Sequence, residues 1–144
     1  MERVRLSFPE DDVVHRHPLT VRITDMNYGR HLGHDALISL LHEARVAALA
    51  ALGLQEWDLG GYPCVAADLA VQYQAETRWP EALTIETAIP APGRKALGVY
   101  HRVLREADGA TVATARLNLM LIDPAQGRPV AIPAALRDVL AGAR

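Results

Sequence analysis

Two kinds of hydrophobic pattern alternate along this chain. Between Leu19 and Ile23 the large apolar side chains stand two residues apart, which is the spacing of a half-buried strand. From His34 to Leu52 the apolar side chains instead cover nearly every face of a helical projection, which predicts a buried helix. Gly53 follows directly and is a favourable residue to end that helix.

The rest of the chain predicts four strands and a short closing helix. The strand-like runs are 64–73, 83–89, 95–104 and 111–122, and Glu106-Ala107-Asp108-Gly109 reads as a hairpin turn. Pro133 marks the start of the terminal helix. One long antiparallel sheet wrapped around the buried helix satisfies both patterns, so we expect an α+β fold in a single domain covering residues 1–144.

Composition narrows the classes of function. The formal net charge is −2, so no basic excess points to nucleic acid, and no apolar run is long enough to predict a membrane span. The single cysteine, Cys64, excludes an internal disulfide and fits a reducing compartment, so we expect a cytoplasmic protein. The pairs His15-x-His17 and His31-x-x-His34 lack a matching second pair of ligands, and we expect no metal site.

The segment with the most chemically competent side chains joins the first strand to the helix. It reads Asp25-Met26-Asn27-Tyr28-Gly29-Arg30-His31-Leu32-Gly33-His34-Asp35. The start of a helix offers backbone N–H groups without intrahelical partners and the positive end of the helix dipole. We therefore expect the chemistry of the protein at this junction.

The junction and the order of elements resemble the hotdog-fold thioesterases of the 4-hydroxybenzoyl-CoA thioesterase type. Their hallmark is roughly D-x-D-x-x-G-H-V-N-N, followed by a helix that ends in E-E-A-R. Here Asp25 matches the first acid, His31-Leu32 the His-Val pair, and His42-Glu43-Ala44-Arg45 the helix end. The resemblance covers nearly the whole chain. It implies a hotdog fold, a homodimer or homotetramer with the site between subunits, and an acyl-CoA substrate that brings coenzyme A as part of itself, with no separate cofactor.

One departure from the family pattern bears on mechanism. The second acid of the hallmark, the usual catalytic carboxylate, falls on Asn27. An amide cannot act as a general base, although it can donate a hydrogen bond to a carbonyl oxygen or hold a water molecule. We expect Asn27 and His31 to position the thioester or the water, and either Asp35 or Glu43 to activate that water.

The two acids have competing explanations. Glu43 lies on an otherwise apolar helix, so we expect it to be desolvated with a raised pKa. A solvated stripe, or a buried network with Arg45 that fixes the dimer, explains it equally well. Asp35 is also a preferred helix-capping residue.

Five further residues are candidates for substrate contacts. Tyr28 would line the acyl pocket or pack in the core, and Gly33 and His34 would present backbone N–H groups to the carbonyl. Arg94 and Lys95 would meet the phosphates of CoA. The function we expect is hydrolysis of an acyl-CoA. The alternatives are a non-catalytic acyl or acyl-CoA binder, and another hotdog enzyme such as a dehydratase, which a histidine and an acid facing each other across the site would favour.

Overall fold

One antiparallel sheet carries most of the chain in the computed structural model, which describes all 144 residues. Two short 3₁₀ turns, Glu10–Asp12 and Ile23–Asp25, flank the first strand and its exit loop. The helices and strands are, in chain order, β1 Val13–Thr20, α1 His34–Ala51, β2 Cys64–Tyr73, β3 Ala82–Ala88, β4 Ala96–Arg105, β5 Thr111–Asp123, β6 Arg128–Pro129 and α2 Ala134–Gly142.

The strands lie in the order β1-β3-β4-β5-β2, and the short β6 pairs with the end of β5. Strands β3, β4 and β5 follow one another as antiparallel neighbours, but β2 pairs with β5, with Leu69 opposite Leu117. Strand β2 is therefore not a hairpin neighbour of β3. From β2 the chain crosses back over the sheet to β3, beside β1, so β1 and β2 are the two edge strands.

Helix α1 packs against one face of this sheet and links two hydrophobic clusters. The first cluster surrounds the N-terminal half of α1, and the second joins Leu49 to the middle of the sheet and to α2. Neither helix has both the length and the apolar content needed to cross a lipid bilayer. Representative members of the first cluster are Leu37, Leu41, Ile85 and Val103, and of the second Leu97, Leu117, Leu119, Leu136 and Leu140.

The first strand differs most from its prediction. We expected it over 19–23, but β1 covers Val13–Thr20, and the chain turns into a 3₁₀ helix at Ile23. The sequence pattern did not predict this strand because it contains histidines and Pro18, and proline and polar residues are untypical of strand interiors. Pro18 is compatible with β1 because an edge strand needs backbone hydrogen bonds on one side only.

The bounds of α1 agree with the sequence to within one residue, and Gly53 follows it with a φ of 75°. The burial of α1 differs from the prediction of a fully buried helix, because one face of the helix is open to solvent in the protomer. Ser39, His42 and Glu43 are exposed on that face, whereas Leu40 and Leu41 are buried. The helix reads as almost continuously apolar because many of its residues are alanines. A helix face made of alanines is compatible with both burial and exposure to solvent.

The sheet face opposite α1 holds a buried carboxylate. Glu86 is only 5% exposed, and it accepts hydrogen bonds from Arg16 Nε at 3.0 Å and Arg102 Nε at 2.9 Å. Because Arg16 lies on β1 and Arg102 on β4, this carboxylate ties three neighbouring strands together.

Replacing Glu86 with alanine should lower the free energy of unfolding by about 2–3 kcal/mol, since it removes two charge-assisted hydrogen bonds from a buried site. Urea denaturation followed by circular dichroism measures the change. The exposed Asp11, which makes no side-chain hydrogen bond, is the control, and Asp11→Ala should change stability by less than about 0.5 kcal/mol. Equal midpoints for the two variants would contradict this role of Glu86.

Candidate active site

Asp25 fixes the loop that leads from β1 to α1. Its side chain is 4% exposed and accepts hydrogen bonds from the Arg22 backbone N–H at 2.8 Å and from Arg22 Nη2 at 2.9 Å. Burial by itself would raise the pKa of Asp25, but the hydrogen bonds and charge of Arg22 outweigh it and hold the pKa below its ordinary value. The carbonyl of Asp25 also accepts the N–H of Gly33 at 3.0 Å, which closes the loop just before the helix.

Asn27 shapes the same loop from inside. Its Oδ1 accepts hydrogen bonds from the backbone N–H groups of Gly29 at 2.9 Å and His31 at 3.2 Å. The side chain thereby takes the part of a backbone carbonyl in a tight turn, in which Arg30 has a left-handed φ of 63°. With Oδ1 occupied, the amide Nδ2 of Asn27 remains as a donor for a ligand.

A cavity of about 240 Å³ lies where this loop meets the start of α1 and the end of β2. Leu37 and Val112 form part of its apolar wall. Its polar lining comes from Asn27, His31, His34, Tyr73, Glu76 and Thr77. We refer to it as the junction cavity.

His31 stands between two charged groups at this cavity. Its Nε2 lies 3.0 Å from Glu76 Oε2 and 3.1 Å from Arg78 Nη2. The nitrogen can donate to the carboxylate only when it carries a proton, and can accept from the guanidinium only when it does not. Nε2 therefore bonds only one of the two charged neighbours at a time, and the tautomer of the ring decides which.

The start of α1 supplies the backbone donors. Gly33 is the N-cap residue and no side chain caps the helix, so the first-turn N–H groups from His34 onward have no intrahelical partner. The prediction that Gly33 itself offers an N–H to the substrate is wrong, because that group is bonded to Asp25. The hydroxyl of Tyr73 donates to the carbonyl of His34 at 3.1 Å and ties the end of β2 to the helix.

Asp35 lies beside the junction cavity, in the first turn of α1 but not at its cap. A Cβ added to Gly33 would approach Asp35 Oδ1 to 2.7 Å, so the absence of a side chain at Gly33 lets the carboxylate fold back over the helix start. Burial, and then the charge of Asp35, raise the pKa of Tyr73. The phenol thus stays a hydrogen-bond donor at neutral pH.

Four other predicted residues lie apart from the junction cavity. The expected burial of Glu43 is wrong: its side chain is 61% exposed, 2.7 Å from His17 Nε2, and eight residues beyond Asp35, about 12 Å along the helix. Tyr28 is fully exposed, so in the protomer it neither lines the cavity nor packs in the core. Arg94 and Lys95 precede β4, whose far end adjoins the cavity, so the length of that strand, roughly 30 Å, separates them from it.

Sequence reasoning missed the residues that β2 and its exit contribute. Tyr73 ends a strand that was predicted correctly, and Glu76, Thr77 and Arg78 follow it in a polar run. The signal was present as charged residues immediately after a long strand, but the pairing of β2 with β5 that brings them to the helix start cannot be read from local patterns. No group of three or more histidine, cysteine or acidic side chains in the structure is arranged to hold a metal ion.

Comparisons with known proteins identify the family. Residues 21–140 match the model of the thioesterase-like superfamily. A bifunctional L-carnitine dehydrogenase/betainyl-CoA thioesterase of Agrobacterium fabrum is 30% identical over 116 residues, which are 80% of this chain. The chain spans only 24% of the length of that relative.

Solved structures agree on the architecture. A 1,4-dihydroxy-2-naphthoyl-CoA thioesterase from Synechocystis superposes with a TM-score of 0.79 at 12% identity, over 88% of this chain and 94% of the other. The SAV2348 protein of Staphylococcus aureus, solved in complex with CoA, gives 0.79 at 18% identity, over 91% of this chain and 83% of the other. The chain belongs to the thioesterase-like superfamily, and the predicted hotdog fold is confirmed.

Replacing Asp25 with asparagine should lower the free energy of unfolding at pH 7 by about 1–3 kcal/mol, because a buried charge-assisted pair becomes a neutral one. The pKa of Asp25 is lowered on folding, so its contribution is present above the unfolded value of about 3.9 and disappears as the pH falls through the folded value. Denaturation midpoints of the wild type and Asp25→Asn should therefore converge in acid. A gap that persists or widens there would contradict the assignment.

Proposed function

We propose that the protein hydrolyses an acyl-CoA thioester at the junction cavity. The observation that carries this proposal is the meeting, in one cavity, of uncapped helix N–H groups, the free amide of Asn27 and the carboxylate of Glu76. Membership of the thioesterase-like superfamily supports the reaction class, and the CoA bound to a structural neighbour supports the ligand class.

The proposed reaction uses these groups in sequence. The first-turn N–H groups of α1 and Asn27 Nδ2 stabilise the negative charge that develops on the thioester oxygen. Glu76 takes a proton from a water molecule as the water oxygen bonds to the carbonyl carbon. The carbon–sulfur bond then breaks, the proton passes to the departing thiolate, and the free acid and CoA are released.

Glu76 fits the role of base better than the acids proposed from sequence alone. It lines the cavity with Asn27, and its side chain, 74% exposed, has Oε2 3.0 Å from His31 Nε2. Asp35 stands next to the cavity and remains a second candidate. Glu43 pairs with His17 more than two helical turns away.

The proposed substrate enters past exposed cations. Arg30 and Arg78 are exposed on the loops that border the junction cavity, and they suit the phosphates of CoA better than Arg94 and Lys95 do. The identity of the acyl group can be tested with substrates of different chain length and type. A panel of short, medium and aromatic acyl-CoAs should include betainyl-CoA, which the name of the Agrobacterium relative suggests.

A dehydratase is the second candidate, because a histidine and an acid do meet in the site. His31 and Glu76 stand side by side at 3.0 Å, however, whereas proton removal and return across a bound acyl chain favour groups on opposite walls. Hydration of an enoyl-CoA by the purified protein would favour this alternative. Binding of acyl-CoA without turnover of any kind would favour the non-catalytic binder.

Replacing Glu76 with glutamine should lower kcat by roughly 10²-fold or more, the usual scale for loss of a general base, with little change in KM. Release of free CoA measures the rate. Glu43→Gln is the matched control and should retain activity, because Glu43 lies outside the cavity. If Asp35→Asn abolishes turnover and Glu76→Gln does not, Asp35 is the base.

The family pattern supplies a rescue test at Asn27. Aspartate at this position retains an oxygen to accept the N–H groups of Gly29 and His31 and adds the carboxylate that the hotdog hallmark carries. Adding Asn27→Asp to Glu76→Gln should therefore recover at least about tenfold in kcat, a part of the contribution of a base. A double variant as inactive as Glu76→Gln alone would show that Asn27 does not stand where an acid can act.

We further propose that the protein is a cytoplasmic homodimer paired along β2. This edge strand is ten residues long, and five consecutive residues, Val65 to Leu69, are exposed. Val65, Leu69 and Tyr73 present apolar surface at an edge with unpaired backbone groups, which is the kind of edge that a stable soluble protein covers. A second copy would extend the sheet and bring its own residues towards the junction cavity, since Tyr73 is part of both.

Replacing Val65 with lysine should convert the dimer to a monomer, because each copy would bring an unpaired positive charge to an apolar part of the paired edge. Light scattering after size-exclusion chromatography gives the mass. Val139→Lys on α2 changes an equally apolar, 39% exposed side chain away from β2 and should leave the dimer intact. A wild-type monomer at micromolar concentration would refute the pairing.

A further inference from the structure

A second cavity lies beyond the junction cavity, between the middle of α1 and strands β2 and β5. Its volume is about 240 Å³. Leu41 of α1, Leu69 of β2 and Leu117 of β5 form much of its wall, and its polar lining comes from His42, Arg45 and His101. One helical turn, about 5.4 Å, separates Leu41 from Leu37 of the junction cavity.

His101 has an unmet hydrogen-bonding atom at this second cavity. The residue is 1% exposed, and its Nδ1 is 2.9 Å from the hydroxyl of Thr87 on the neighbouring strand β3. Nε2, on the far side of the ring from Thr87, is buried without any partner. Most buried polar side-chain atoms are hydrogen-bonded, so Nε2 is the group of the protein that is available to a polar ligand in this cavity.

The charges around the cavity restrict that occupant. Burial, and then the positive charge of Arg45, lower the pKa of His101 to about 3, so the ring is neutral at physiological pH. Arg45 is itself neutralised by Glu56, with Nη2 at 2.6 Å from Oε1. His42 also lines the cavity, but its side chain is 61% exposed and its Nε2 lies 3.3 Å from Oε2 of the same Glu56. A carboxylate or an ammonium group placed against His101 would therefore have no unpaired counter-charge beside it, which is strongly unfavourable for a buried ion.

We propose that the second cavity binds a hydroxyl group carried on the acyl chain of the substrate. A hydroxyl both donates and accepts, so it satisfies Nε2 of His101 whichever ring nitrogen bears the proton. The inference rests on the proposed thioesterase function, because it requires the acyl chain of a thioester held at the helix start to run along α1, past Leu37, into this cavity. It narrows the substrate class to hydroxyacyl-CoAs whose apolar chain runs between α1 and β2.

The preference should appear in the rate of hydrolysis. Straight-chain acyl-CoAs of increasing length are each compared with the derivative that carries a terminal hydroxyl. At one length the hydroxyl should raise kcat/KM by roughly three- to tenfold, the value of one hydrogen bond, and at the others it should lower it. A hydroxyl that lowers kcat/KM at every length would overturn the proposal.

Variants at His101 test the residue. His101→Leu should reduce the ratio of kcat/KM for the hydroxylated substrate to kcat/KM for the parent substrate to one or below. His101→Gln keeps a donor and an acceptor, so it should retain part of the preference for the hydroxylated substrate. His15→Leu, on edge strand β1 and outside both cavities, is the control and should leave the ratio as in the wild type. An unchanged ratio in His101→Leu would overturn the role of this residue.

A binding measurement on the wild type keeps the test independent of folding and of turnover. The free hydroxy acid, which is the reaction product, should shift the ¹⁵N resonance of His101 Nε2, and the parent acid should not. If this shift occurs while no acyl-CoA is hydrolysed, the cavity assignment stands and the thioesterase proposal fails. If acyl-CoAs are hydrolysed but neither acid shifts the Nε2 resonance, water alone occupies the cavity. The thioesterase proposal then stands, and the cavity assignment is overturned.

Discussion

The backbone hydrogen bond from Gly33 to the carbonyl of Asp25 is the contact on which the candidate site depends. It closes the loop so that α1 begins beside Asn27, with its first N–H groups free. Asp25 can hold this position because Arg22 satisfies its buried carboxylate. A helix start without a side-chain cap is costly when it is buried, and here the uncapped end opens onto a cavity that a polar ligand can fill.

The loop also explains how an amide can stand at the position of the family's acid. Asn27 Oδ1 can take the structural place of a carboxylate oxygen, since it accepts hydrogen bonds from the two backbone N–H groups that shape the turn. What the amide lacks is only the capacity to take a proton. In the proposed mechanism Asn27 therefore keeps the turn, and Glu76, at the exit of β2, is the carboxylate that takes the proton.

Most of the fold could be predicted from the sequence, because periodicity reports local environment. The bounds of α1 and β2 agree with expectation to a residue, and the hotdog resemblance is confirmed by the family. The failures at Glu43 and Glu76 are non-local, unlike the error at β1, which came from its local composition. Glu43 was expected to be buried because the helix is apolar, but burial depends on which face the sheet covers, and Glu76 was overlooked because only the long-range pairing of β2 with β5 brings it to the helix start.

The two hydrophobic clusters have a consequence for the cooperativity of unfolding. The second cavity lies on their boundary, with Leu41 from one cluster and Leu117 from the other in its wall. A cavity at this boundary reduces the number of protein–protein packing contacts between the half of the protomer that holds the candidate site and the half that holds α2. A ligand that fills it contacts both halves, so it would favour their opening as one unit and slow the amide hydrogen exchange that proceeds through partial opening.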